Sequence, residues 1–212
     1  AYGSFTDAFG RKVPWRLTTY GLREALMRTL KICRQHGKKA WYHGHNVYNP
    51  AVQGLGDYWY PGEHLTSKLA KNPYYYTDEM PQEVYETEFN TQQKGVGIIN
   101  LPVIARIHRK YNGPEGAGPT LAMAGVMLLN DIVSSGTQCH QPTLDRIWGI
   151  RKVHALDKAE FVRFTDNKNF PSDNSQVVVS YYQFPDQRVF AVVMNRDRYD
   201  SLPEESKPSI VW

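Results

Sequence analysis

The sequence predicts an α/β fold: parallel strands joined by helices, followed from about residue 157 by antiparallel strands. Three observations carry this. Short aromatic or apolar strands at Lys39–His43, Asp57–Tyr60 and Gly95–Val103 are separated by helical patterns, which is the grammar of repeated βα units. The first two strands stop abruptly at polar residues beside glycine or proline. After Asp157 three further strand patterns, Glu160–Phe164, Gln176–Gln183 and Arg188–Asn195, follow without a helix between them, and Pro185-Asp-Gln187 marks a hairpin between the last two.

Taken in order, residues 1–16 read as a loop punctuated by Gly3, Gly10 and Pro14. A helix begins at Thr18 or Thr19, with Leu22, Ala25, Leu26, Leu30 and Cys33 on one face, and Gly37 stops it. The first strand follows at once. Residues 49–54 allow one helical turn before the second strand, and Thr66–Ala70 a short helix. Pro73-Tyr-Tyr-Tyr76 reads as a loop, and Pro81 suits the first position of a helix running to about Phe89. Asn100 falls near the end of the third strand. The glycine-rich stretch 113–118 leads into a helix over Pro119–Ile132 with a broad apolar stripe at Leu121, Ala124, Leu128, Leu129 and Ile132, and a further helix spans about Thr143–His154. The change of grammar places a domain boundary near residue 156, giving an α/β part over 1–156 and a β part over 157–212.

Three strand–helix units neither close a barrel nor build a doubly wound sheet, and an eight-stranded βα barrel takes about 250 residues. The α/β part therefore reads as the last portion of a (β/α)8 barrel. The chain opens on Ala1 without an initiating Met and ends at Trp212 as an apolar run begins, so an internal piece of a longer protein is expected.

Composition bounds the partners. The 212 residues carry a net charge of +4 with acidic and basic residues interleaved, and no Lys/Arg run points to nucleic acid or to a membrane surface. No apolar run is long enough to span a bilayer. Fourteen tyrosines give flat rings with hydrogen-bonding tips, suited to polyol ligands and equally to strand cores. Cys33 and Cys139 have no metal-site spacing, and no cofactor is expected.

The candidate site is the carboxyl end of the strands, where loops converge in parallel α/β folds. The first strand delivers His43, His45 and Asn46, and the second delivers Tyr60, Glu63 and His64 behind Pro61-Gly62. Glycosidases need paired carboxylates, one of them protonating the leaving oxygen, so Glu63 is the candidate for chemistry, with sugar contact or helix capping as its other readings. His43 and His45 share one face of a strand at i, i+2 spacing; they suit substrate hydroxyls, and a metal-dependent hydrolase remains the alternative. Tyr60 at a strand end and Tyr75 in its loop are placed to stack on a sugar, and Asn100 to hydrogen-bond one. Asp131 reads as a partner for a nearby arginine.

The order of motifs also resembles a known family. Asp-x-Phe-Gly in the opening loop precedes Arg23, Glu24 and Arg28 on a helix, then come His-x-His/Asn, Gly62-Glu63-His64, Leu101-Pro102, Leu-Leu-Asn-Asp at 128–131 and Ala-Glu-Phe-Val at 159–162. The chain is similar in this to the later part of glycoside-hydrolase-like barrels with a trailing β-sandwich, the family 123 β-N-acetylgalactosaminidases in particular. The resemblance implies hydrolysis of a glycosidic bond in a glycan, a principal acidic pair on an earlier strand, Gly62-Glu63 as the later wall of the cleft, and a secreted or periplasmic bacterial protein. A non-catalytic carbohydrate-binding or structural protein on the same fold is the other class.

Overall fold

The computed structural model describes residues 4–14, 18–43, 52, 54–89 and 96–195. It is a mixed α/β structure with a four-stranded parallel sheet and a separate three-stranded antiparallel sheet. The elements are β1 (Ser4–Thr6), β2 (Lys12–Pro14), α1 (Thr18–Gln35), β3 (Trp41–His43), β4 (Tyr58–Tyr60), α2 (Thr66–Leu69), α3 (Tyr75–Asp78), α4 (Gln82–Glu88), β5 (Gly97–Asn100), α5 (Ala117–Leu129), β6 (Val133–Ser134), α6 (Gln141–Val153), β7 (Glu160–Val162), β8 (Val177–Gln183) and β9 (Val189–Asn195).

The parallel sheet runs β3-β4-β5-β6 in sequence order. Trp41 pairs with Tyr58 and His43 with Tyr60, so strand parity puts these four side chains on one face. Tyr42, Trp59, Ile98 and Asn100 point to the other, where α3 and α5 cover them; Trp59, Ile98 and Asn100 are buried. At the amino edge, Asp57 ties the elements together. One carboxylate oxygen accepts the Ala40 N–H at 2.7 Å and the other accepts Arg34 of α1 at 2.8 Å, while the Asp57 carbonyl accepts Gly97 N–H at 2.9 Å. The Ala40 N–H and then Arg34 outweigh desolvation and hold this carboxyl below the usual carboxylate range.

The second sheet is β7-β8-β9, antiparallel throughout. It packs on the end of α5: Ser180 Oγ donates to the Leu129 carbonyl at 2.7 Å, and Leu128, Leu156, Tyr182 and Phe184 form a small core. Asp131 accepts hydrogen bonds from Tyr182 Oη and Arg151, both at 2.9 Å. Its expected arginine partner is therefore Arg151, although Asp131 stands past the helix, at φ 53°. No helix among the described residues is long and apolar enough to cross a membrane.

Several local expectations change. Residues 4–14 form a hairpin rather than a loop, because the Asp7 carboxylate accepts the N–H groups of Phe9 and Arg11, both at 2.9 Å, and Gly10 supplies a positive φ. Tyr75–Asp78 is a helical turn. The helix expected to run to Ile132 ends at Leu129, and Val133-Ser134, where no strand was expected, pairs with β5 as β6. On α1 only Leu26 of the expected apolar face is buried, while Leu22 is about half exposed and Ala25 is exposed. The reason is position: β3 is the outermost strand, so one row of the helix meets the sheet. The expected turn at 49–54 falls largely outside the described residues.

Two tests follow from this packing. Leu128→Ala is expected to lower the unfolding free energy in a denaturant titration by about 2–5 kcal/mol. Because the Asp57 carboxyl lies below the ordinary value near 3.8, its contribution is complete above that pH and is lost as pH falls through its folded value. Asp57→Asn should accordingly flatten the acid limb of a stability–pH profile without altering the alkaline limb.

Candidate functional site

The carboxyl edge of the parallel sheet is assembled by one turn. Pro61 leaves β4 with its carbonyl accepting Leu101 N–H at 2.8 Å, which binds the exits of β4 and β5 together. Gly62 follows at φ 128°, a conformation that side-chain-bearing residues rarely adopt. A Cβ there would stand 2.3 Å from the Leu101 carbonyl oxygen. The turn can close only with glycine, and closing it delivers Glu63.

Glu63 lies between two partners. His43 Nε2 at the end of β3 is 2.9 Å from its Oε2, and the Arg106 guanidinium pairs with its Oε1. The carboxylate is largely covered, whereas His43 and Arg106 keep 45% and 38% of their side chains exposed, so the two cationic or polar groups form the accessible surface. The Tyr60 ring meets the His43 ring edge-on, 5.5 Å between centroids. Its hydroxyl is 3.1 Å from Thr137 Oγ1, which is 3.2 Å from Ser135 Oγ. Along this edge β3, β4, the loop after β5 and the loop after β6 thus present an imidazole, a carboxylate, a guanidinium, a phenol and two hydroxyls.

Two loops that supply those groups are held in uncommon backbone conformations. Val103, a β-branched residue, has φ 43°, and Gln138 has φ 59°. The Ala105 N–H donates to the Gln138 carbonyl at 2.8 Å, locking the loop that carries Arg106 to the loop that carries Thr137. Such conformations cost about 1–3 kcal/mol each and persist where the surroundings enforce them. Here the enforced result is the placement of Arg106 over Glu63.

The residues singled out from the sequence divide into three groups. His43, Tyr60 and Glu63 meet at the edge. His45 and Asn46 lie outside the described residues. The others sit away from that meeting point. Asn100 is fully buried: its Nδ2 donates to Ser134 Oγ at 3.2 Å and faces Met123 Sδ at 3.6 Å, and Tyr76 Oη donates to its Oδ1, so it anchors the core instead of reaching a ligand. Strand parity explains this, since Asn100 points to the helical side. His64 Nε2 turns to Glu88 Oε1 on α4, 3.0 Å away. Tyr75 packs against the main core from α3, and burial and then nearby Glu79 push its hydroxyl's pKa upward, while its neighbour Tyr76 is buried. Arg106, Ser135 and Thr137 were missed; the available signal for Arg106 was its place as the first charge after Leu101-Pro-Val-Ile-Ala105.

Among the described residues no group of three or more His, Cys, Asp or Glu side chains is arranged to hold a metal ion. Cys139 is buried, and desolvation pushes its thiol up to about 12. No family model, curated protein or solved structure matches the chain.

Gly62→Ala is expected to destabilise the fold by at least about 2 kcal/mol, read from its thermal or denaturant midpoint, because it adds strain and a clash at one point. Alkylation of the native protein at about pH 8 should leave Cys139 unmodified, as a thiol so far from its ionised form is a poor nucleophile; rapid labelling would contradict the packing around it.

Proposed function

We propose that the chain carries part of a glycoside-hydrolase-like (β/α)8 barrel that engages a glycan at the carboxyl edge of its parallel sheet, with the antiparallel strands belonging to a β-sandwich beside it. The strand order supports the barrel. All four parallel strands are neighbours in sequence order, whereas doubly wound sheets reverse order at the point where they bind ligand. The cover supports it as well. Buried Trp59, Ile98 and Asn100 mark the helical side, while the opposite face carries Trp41, Tyr58, Tyr60, Ile99 and Val133, with Trp41 62% exposed. A face of bulky side chains with no helix named against it among the described residues has the character of a barrel interior, and His43 and Tyr60 stand at its carboxyl end.

The observation that carries the functional reading is Glu63 held between His43 and Arg106 at that end. A carboxylate whose two oxygens face a guanidinium and an imidazole suits the role of a hydrogen-bond acceptor and a fixed negative charge. In a substrate-assisted glycosidase that is the role of the carboxylate that orients and polarises a 2-acetamido group, in keeping with the resemblance to β-N-acetylgalactosaminidases. The adjoining Tyr60 ring, with Thr137 and Ser135 beside its hydroxyl, suits a pyranose: a flat apolar face and hydroxyls within reach. The same clamp also favours a second reading, a glycan-binding protein without turnover, since an engaged carboxylate gives recognition without requiring proton transfer.

Glu63→Gln separates the two. If the edge is catalytic, hydrolysis of a β-N-acetylgalactosaminide should fall about 10²-fold or more. If it only binds, affinity for the sugar should weaken by about 1–3 kcal/mol with no hydrolysis in either protein. Unchanged hydrolysis and unchanged binding in a folded variant would contradict both.

A further inference from the structure

The hairpin β1-β2 and the helix α1 enclose a second concavity, a cleft of about 780 Å³. That volume falls within the range of about 300–1,000 Å³ usual for small-ligand sites. The basic side chains on its walls are Arg11 and Lys12 from the hairpin and Arg23, Arg28 and Lys31 from the helix. Two acidic groups oppose them: Asp7 is bound to Arg11 at 2.6 Å, and Glu24 stands 3.8 Å from Arg28. The cleft thus has a local excess of three positive charges in a chain whose whole net charge is +4. The walls also have apolar parts. Phe9 at the hairpin tip is 77% exposed with the Arg11 guanidinium 5.1 Å from its ring centroid, and Met27 is about half exposed.

Its place follows from connectivity. Helix α1 enters β3 after Gln35, and its last turn is fixed at the sheet's amino edge by Arg34 on Asp57. The helix runs antiparallel to β3, so its first turns lie toward the carboxyl edge, where His43 stands. The cleft opens along the exposed side of α1 beside the hairpin, whereas Leu26 of the same helix faces the sheet.

We infer that this cleft receives the acidic groups, sulfate or carboxylate, of an anionic glycan. The inference rests on the glycan reading above and adds the charge class of the ligand. The chemistry fits. Guanidinium and ammonium groups bind sulfate and carboxylate oxygens by charge-assisted hydrogen bonds. A cleft lined by one sign of charge concentrates the opposite sign within it. The exposed Phe9 ring and Met27 give a sugar's apolar face something to lie on. A nucleic acid is the less apt occupant, because among the described residues Phe9 is the single ring in the lining and two carboxylates sit among the cations.

The test is calorimetric titration of the whole chain with a chondroitin sulfate hexasaccharide and with the same hexasaccharide after desulfation and carboxyl reduction. The acidic sugar is expected to bind at least about tenfold tighter at low ionic strength, with the advantage shrinking as salt screens it. Arg28→Glu combined with Lys31→Glu, both exposed positions, should abolish that advantage and leave the affinity for the neutral sugar unchanged. Arg28→Gln with Lys31→Gln should reduce it partway, and thermal melts confirm folding. Equal affinity for the two sugars, or a preference that survives the charge reversal, overturns this inference while leaving the glycan reading intact. A single-stranded DNA of matched charge that binds as tightly as the acidic sugar overturns it too, assigning the cleft to polyanions without regard to sugar. Failure of both sugars to bind overturns the glycan reading and this inference with it.

Discussion

The site depends on a single backbone constraint, the turn at Pro61-Gly62. Two strand exits come within hydrogen-bonding distance there, and the space left over is too small for a Cβ. A side chain at 62 would push β4 away from Leu101, and Glu63 would leave its position between His43 and Arg106. The geometry of the carboxylate is thus set by the sheet and not by the side chains around it. Arg106 is placed by the same logic from the other side, through a loop held in an uncommon conformation at Val103 and tied to the following loop at Gln138. Rigid elements with strained connectors at one edge are what a preorganised binding surface requires.

The rest of the molecule keeps that edge in register. At the amino edge Asp57 binds β3, β5 and α1 through its carboxylate and its backbone, so the strands begin level with one another. On the helical side the buried Asn100, with Tyr76 and Ser134, pins β5 to α3 and β6. The antiparallel sheet joins by a polar cluster, Asp131 with Arg151 and Tyr182, and burial and then Asp131 raise the pKa of the Tyr182 hydroxyl far above its ordinary value, so that it remains a neutral donor. The two sheets therefore share a helix, α5, and the expected division near residue 156 is bridged by packing.

Much of this was legible in the sequence for a simple reason: aromatic strands that end at glycine or proline announce both their period and their stop. That is why the three parallel strands, the three antiparallel ones, and the meeting of His43, Tyr60 and Glu63 could be read from the chain. Other features escaped for equally physical reasons. Strand β6 has two residues, too short for any period, and three residues separate it from the preceding helix. Asn100 and Tyr75 looked like ligand contacts because the sequence marks the end of an element but not the side to which a side chain points. Arg106 reaches Glu63 across 43 positions of chain, a pairing that no local pattern encodes. The apolar stripe of α1 was visible, yet nothing in it says that the helix would sit at the sheet's margin with only Leu26 covered.

The proposed ligand site at the carboxyl edge of the parallel sheet can be probed by following the ring signals of His43 and Tyr60 in an NMR titration with an N-acetylgalactosamine-containing oligosaccharide, with Phe161 and Phe190 of the antiparallel sheet as internal controls. His43 and Tyr60 are expected to shift together along one saturable curve while Phe161 and Phe190 stay fixed. Saturable shifts at Phe161 or Phe190 with His43 and Tyr60 silent would place the ligand on the other sheet and contradict the proposed site.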